Sequence, residues 1–214
     1  DITPYVGPGR TRTQLRPEDI GLAGRQYPHI TPVKEATGSV ENMRRTRECC
    51  GPDFTILSGD DPMTVEMMTD PKIKAAGVIS VASNVAPKVV TEMVRLLIAG
   101  RTAEAQALAA KLEPLFNLVT VKTTEKTPYG EVTCRARNPL AYKTLMAILG
   151  MPAGDCKPPL GKMTRNGLAK VLEAARATQR TAPEILKPVA DFFGVKIEER
   201  LENPKYWEGL CYAE

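Results

Sequence analysis

The sequence predicts an α/β fold with a parallel sheet, followed by a helical domain. Two observations carry this. Short apolar segments rich in β-branched residues recur along the first part of the chain, with helix start signals between them. After Val81 that recurrence stops and helical spacing of apolar residues takes over. Strand, helix, strand, helix at a period of roughly 23 to 28 residues matches a βα unit, which makes the strands parallel and puts helices outside the sheet.

Strands are expected at Ile2 to Val6, Ile30 to Lys34, Phe54 to Ser58 and Gly77 to Val81. Between them, Pro17-Glu18-Asp19 supplies the proline and acids of a first helical turn. Ser39 opens a second helix that ends near Cys50-Gly51, and Asp61-Pro62 opens a third, with Asp60-Asp61 read as its cap. Downstream, Val89, Val90, Met93, Val94 and Leu97 form one stripe of a helix over 87–99. Gly100 ends it, and Thr102 caps a helix running to about Leu118. Residues 120–137 read as polar and irregular, with a hairpin turn at Pro128-Tyr129-Gly130. Helices follow over 140–149, 164–178 and 182–193, with a loop at Cys156-Lys157-Pro158-Pro159. The segment from Glu198 onward, which holds Trp207, fits no pattern.

The domains are therefore read as 1–86 and 87–214. Four βα units are half of a (β/α)8 barrel, which takes about 250 residues in full. Half a barrel leaves two exposed strand edges and an unfilled interior. The sequence is accordingly expected to lack an N-terminal half, leaving only the C-terminal four βα units ahead of the helical domain.

Composition excludes several classes. The chain has 214 residues, 43% of them hydrophobic, enough for a sizeable core. With 29 basic and 25 acidic residues the charge is too mild and scattered to argue for nucleic acid or an anionic membrane. Apolar runs fall far short of the ~20 residues of a membrane span, and no signal peptide is visible. Five cysteines, irregularly spaced and with Cys49 and Cys50 adjacent, fit no metal motif and read as reduced thiols of a cytoplasmic protein. His29, between Pro28 and Ile30, lacks metal-ligand spacing and reads as structural.

In barrels of this kind reactive groups sit at the C-terminal ends of the strands. Those ends hold Tyr5 ahead of Gly7-Pro8-Gly9-Arg10, then Lys34-Glu35, then Ser58-Gly59-Asp60-Asp61, then Ile79-Ser80. A lysine in an apolar strand mouth has its ammonium form destabilised, which frees amine for imine chemistry. A tyrosine on the preceding strand can relay protons, an arginine can grip a carboxylate as a fork, and glycine lets substrate approach the backbone. Taken singly, each has a plainer reading: a solvated strand end, core packing, a surface charge, a turn.

The order of these segments is more specific than any one of them. Tyr5…Gly7-Pro8-Gly9-Arg10-Thr11, then Lys34-Glu35-Ala36-Thr37-Gly38, then Ser58-Gly59-Asp60-Asp61, then Gly77-Val78-Ile79-Ser80-Val81 with Asn84-Val85-Ala86-Pro87, resembles the dihydrodipicolinate synthase / N-acetylneuraminate lyase family. Asn138-Pro139 with Lys143, and Leu149-Gly150, look like that family's C-terminal helical domain. The resemblance covers about residues 1–178. It implies a Schiff-base lyase in which Lys34 captures pyruvate and Tyr5 relays protons. It also implies that Arg10 binds the carboxylate of L-aspartate 4-semialdehyde, while Gly59 and the Ile79 backbone line the pyruvate pocket. The implied assembly is a homotetramer needing no cofactor, with a place in lysine biosynthesis. Another pyruvate aldolase or hydratase-aldolase, or a non-catalytic barrel relative, are the alternatives. The sequence departs from the family pattern before the Pro-Gly-Arg turn, where Tyr-Asn is usual and Tyr5 is here followed by Val6-Gly7, at Pro32 inside the lysine strand, over the long 120–137 segment, and after about residue 180. Residues 1–214 alone, as half a barrel, are expected to show no synthase turnover; measurable turnover by the pure chain would overturn the half-barrel expectation.

Overall fold

The computed structural model describes residues 4–7 and 13–212. In chain order these form β1 (Tyr5–Val6), α1 (Pro17–Gln26), β2 (Pro32–Glu35), α2 (Val40–Cys50), β3 (Thr55–Ser58), α3 (Thr64–Thr69) and β4 (Gly77–Val78). Then come α4 (Pro87–Ile98), α5 (Thr102–Phe116), β5 (Thr120–Thr127), β6 (Gly130–Arg137), α6 (Leu140–Ile148), α7 (Arg165–Thr181), α8 (Lys187–Phe193) and α9 (Ile197–Glu202). Two compact units result, one of residues 1–80 with 91–109 and one of residues 81–90 with 110–214. No helix among the described residues is long and apolar enough to cross a membrane.

In the first unit, β1 to β4 form one parallel sheet in sequence order, with helices between successive strands. This is the α/β arrangement that the strand spacing predicts. Successive side chains of a strand alternate between faces. Val6, Val33 and Ile56 point one way into a core with Ile20 of α1, Met43 of α2 and Met67 of α3, all almost fully buried. Pro32 opens β2, the position in a strand where a missing N–H costs least. Ser39 caps α2 by accepting from the Asn42 N–H at 3.2 Å, and Gly51 ends that helix with φ +85°.

Arg47, near the end of α2, ties this unit's loops together. Its guanidinium donates to the carbonyls of Gly51, Pro52 and Phe54 on one side and of Ile73 and Lys74 on the other, at 2.5 to 3.2 Å. Burial pulls its pKa below the ordinary arginine value, with the nearby Cys50 opposing.

The structure corrects three local expectations. The third helix begins at Thr64, after a 3-10 turn over Asp61–Met63, and the Asp60 side chain makes no capping bond. Hydroxyls hold that loop instead: Ser58 donates to the Asp60 carbonyl at 2.9 Å, and Thr64 reaches both Ser58 Oγ and that carbonyl. The fourth strand stops at Val78, ahead of Ile79. Residues 120–137 form the hairpin expected at Pro128-Tyr129-Gly130 but are not irregular: β5 and β6 pair antiparallel throughout, from Thr120 opposite Arg137 to Thr127 opposite Gly130.

In the second unit, α6 and α7 pack through Leu145, Ile148, Leu168, Val171 and Leu172, all buried. The Tyr142 hydroxyl, also buried, donates to the Leu115 carbonyl at 2.7 Å. The hairpin docks on α7 through β5. Thr123 and Thr164 hydroxyls lie 3.4 Å apart, and Asn166 donates to Glu125 Oε2 at 2.7 Å. Those two hydroxyls, with Asn166, hold the Glu125 carboxyl below the usual carboxylate pKa. The C-terminal tail, which showed no sequence pattern, is anchored by Arg200. It donates to the carbonyls of Ala147 and Ile148 at the end of α6 and lies over the Tyr206 ring.

Arg47→Met keeps an apolar stem over the buried part of the site and removes the five N–H donors. It is expected to destabilise the chain by about 2–4 kcal/mol, because carbonyls in two loops lose their partner together. Urea unfolding of both proteins measures this; a change within experimental error would show that water replaces the guanidinium at little cost.

Candidate active site

The parallel register sets one row of residues across the sheet, Tyr5 beside Lys34, Lys34 beside Leu57, and Leu57 beside Gly77. By alternation this row lies on the face away from the Val33 and Ile56 core. Beyond each strand the ladder continues by one bond. Ala36 N–H donates to the Val6 carbonyl, Gly59 N–H to Glu35, and Ile79 N–H to Ser58, at 2.7 to 2.8 Å. These steps fix Lys34, Gly59 and Ile79 at the same end of the sheet, where β1 also ends.

Lys34 is half-buried, and its Nζ stands 5.0 Å from the centroid of the Tyr5 ring. Its stem runs along Gly59. A Cβ at residue 59 would lie 2.8 Å from Ala36 Cβ and 2.9 Å from Lys34 Cγ, closer than carbon atoms pack. Glycine there is therefore a condition of the lysine's position. Gly7 does the same for the tyrosine, since a Cβ at residue 7 would overlap the Tyr5 hydroxyl. Here the departure from the Tyr-Asn pattern gives the ring space to fold back. Ile79 is 40% exposed, and its N–H donates to the Ser58 carbonyl. Arg10 lies outside the described residues.

Two groups that the sequence reading did not place in the site lie beside this arrangement. Glu35, next to Lys34, is fully buried on the opposite face. Its Oε1 accepts from the Thr37 N–H at 2.7 Å and its Oε2 from the Asn42 amide at 3.0 Å. A buried carboxylate needs such donors, and here they also shape the turn that follows the lysine. The signal was available: alternation from Val33 puts residue 35 on the core face. Asp60, one residue beyond Gly59, has its pKa raised by burial and then by Asp61 beside it. Among the described residues no group of three or more His, Cys, Asp or Glu could hold a metal ion.

The arrangement puts a primary amine, a phenol and an unobstructed glycine backbone at one end of a parallel sheet. That set can form a covalent bond to a carbonyl carbon and move protons nearby.

Comparison with known proteins agrees in kind. Residues 3–178 match the model of the dihydrodipicolinate synthetase family. Named 4-hydroxy-tetrahydrodipicolinate synthases are similar over most of the chain. That of Methanococcus maripaludis S2 is 33% identical over 173 residues, 81% of this chain and 53% of that protein. That of Methanothrix thermoacetophila is 34% identical over 171 residues, 79% of this chain and 52% of that protein. Among solved structures, dihydrodipicolinate synthase from Aquifex aeolicus is 28% identical with a TM-score of 0.71, covering 87% of this chain and 56% of that one. The synthase of Methylacidiphilum fumariolicum SolV, also 28% identical with a TM-score of 0.71, covers 88% and 56%. The chain thus spans about half the length of the relatives it matches. The chain belongs to the dihydrodipicolinate synthetase family.

Proposed function

We propose that the chain provides the imine-forming half of a pyruvate-dependent (β/α)8 lyase that makes 4-hydroxy-tetrahydrodipicolinate for lysine biosynthesis. The observation that carries this is the amine of Lys34 held over the Tyr5 ring, with its stem on Gly59. In this reading the unprotonated amine adds to the pyruvate ketone, and loss of water leaves an iminium. Loss of a methyl proton then gives an enamine, the iminium nitrogen taking up the electron pair. The enamine carbon attacks the aldehyde of L-aspartate 4-semialdehyde, forming the new C–C bond. Attack of that substrate's own amine on the iminium carbon closes the ring and releases Lys34.

Each neighbour has a role in this scheme. Tyr5 carries protons to and from the reacting oxygen atoms, and Arg10 binds the carboxylate of the aldehyde partner. Gly59 and the Ile79 backbone form the wall against which pyruvate lies. The iminium serves as the electron sink, so the scheme calls for no metal or organic cofactor. The same reading makes the full protein a cytoplasmic homotetramer in which a second barrel half covers the open face of the sheet.

Two experiments test it. Borohydride reduction in the presence of pyruvate, followed by peptide mass spectrometry, is expected to leave a reduced adduct on Lys34. A folded protein without the adduct would sink the imine reading, and an adduct with no turnover of aspartate semialdehyde would move the aldehyde specificity elsewhere in the family. Gly59→Ala, by pushing a carbon into the lysine stem and Ala36, is expected to slow imine formation at least about ten-fold in the protein that still folds. Unchanged trapping kinetics would mean that the stem does not need that space.

A further inference from the structure

The hairpin of β5 and β6 is an element the proposed chemistry does not use. β5 contacts α7, while β6 contacts α6 and, among the described residues, has β5 as its one strand partner, so no second described strand lies on its outer edge. Residues 130–133 and 135 are exposed. Strand edges of this length are commonly protected by proline, lysine or a bulge. β6 contains neither residue and pairs with β5 without interruption, so its edge is marked only by the charges of Glu131, Arg135 and Arg137.

The side chains of β6 identify what would fit the edge. On the hairpin face carrying the odd residues of β6, Lys122 stands directly opposite Arg135, and Lys126 opposite Glu131. Two cations facing each other across a strand pair are unfavourable, and Arg135 has no carboxylate within ion-pair distance among the described residues. A carboxylate delivered to the open side of Arg135 would relieve this. β6 itself carries one, Glu131, at a spacing that makes the strand complementary to its own reverse.

We propose that β6 is a dimerisation edge, and that a second copy of this chain adds its own β6 antiparallel to form a four-stranded sheet. Only residues of one parity direct their N–H and C=O groups away from β5, so opposed residues must share parity. The register with Thr133 opposite Thr133 meets that condition. It places Glu131 opposite Arg135 of the second copy at two symmetric positions. Each row across the sheet then reads Lys126, Glu131, Arg135, Lys122, the last two from the second copy. Val132, 45% exposed in the single chain, comes to lie opposite Cys134 on the other face. Because both copies use the same strand, the contact is two-fold and closes at a dimer.

Sedimentation of the whole chain under reducing conditions, with folding checked by circular dichroism, tests the contact. Arg135→Glu sets two carboxylates against each other at both positions and also removes the Lys122 clash, so folding of the single chain is spared. It is expected to weaken this association at least about ten-fold. The exchange Glu131→Arg with Arg135→Glu is expected to restore it. The register is read separately by mild oxidation of Thr133→Cys in a Cys134→Ser background. Peptide mass spectrometry should find a 133–133 disulfide, whereas Glu131→Cys in the same background should give no symmetric link. A wild-type chain that stays monomeric, an association unchanged by Arg135→Glu, or absence of the 133–133 link would each overturn the proposal.

Discussion

The position of Lys34 depends on a constraint set by its neighbours in β2, the two-residue alternation of a strand whose one face is buried. Val33 and Glu35 both belong to the covered face, and both are fully buried. A slip of one residue would put the ammonium of Lys34 into the core and expose Val33. It would also strip Glu35 of Thr37 and Asn42, its two donors. The lysine is thus held on the open face by what lies behind it, with the Tyr5 ring in front.

That constraint propagates through the register. Since β1, β2, β3 and β4 are parallel and in sequence order, fixing β2 fixes the row Tyr5, Lys34, Leu57, Gly77. After β3, Ser58 and Thr64 satisfy the Asp60 carbonyl through their hydroxyls, and Gly59 lies against the lysine stem. At the opposite end of the sheet Arg47 gathers five loop carbonyls that would otherwise be half-buried without donors. That end of the unit is tied by one side chain.

Much of this was legible in the sequence because it rests on local pattern. The strand and helix order follows from apolar β-branched runs and from caps such as Ser39 and Gly51. The strand-end motifs brought out Lys34, Tyr5, Gly59 and Ile79, whose positions the register then relates. The less legible parts depend on partners distant in sequence or on polar residues in structural roles. Arg47 looks like any surface arginine until loops 51–54 and 73–74 are brought to it. The hairpin read as irregular because its packed face is built from Thr123 and Glu125 as well as Val121, so apolar alternation is diluted. The pair Asp60-Asp61 before Pro62 looks like a helix cap, yet the Asp60 side chain makes no capping bond and the hydroxyls of Ser58 and Thr64 hold the Asp60 carbonyl.

The same reasoning about partners separates the two strands of the hairpin. β5 has its polar groups matched from α7: Glu125 by Asn166, Thr123 by Thr164, and the Lys122 carbonyl by the Lys170 ammonium at 2.8 Å. Those bonds decide which strand faces the helix and therefore which is left outside. β6 takes the outer place with a cation pair across the hairpin. A strand that only needed to stay soluble could avoid that pair by carrying a neutral residue opposite Lys122. The arrangement of Glu131 and Arg135 about Thr133 instead turns the edge into the complement of itself, so the charge that is unfavourable within one hairpin becomes favourable between two.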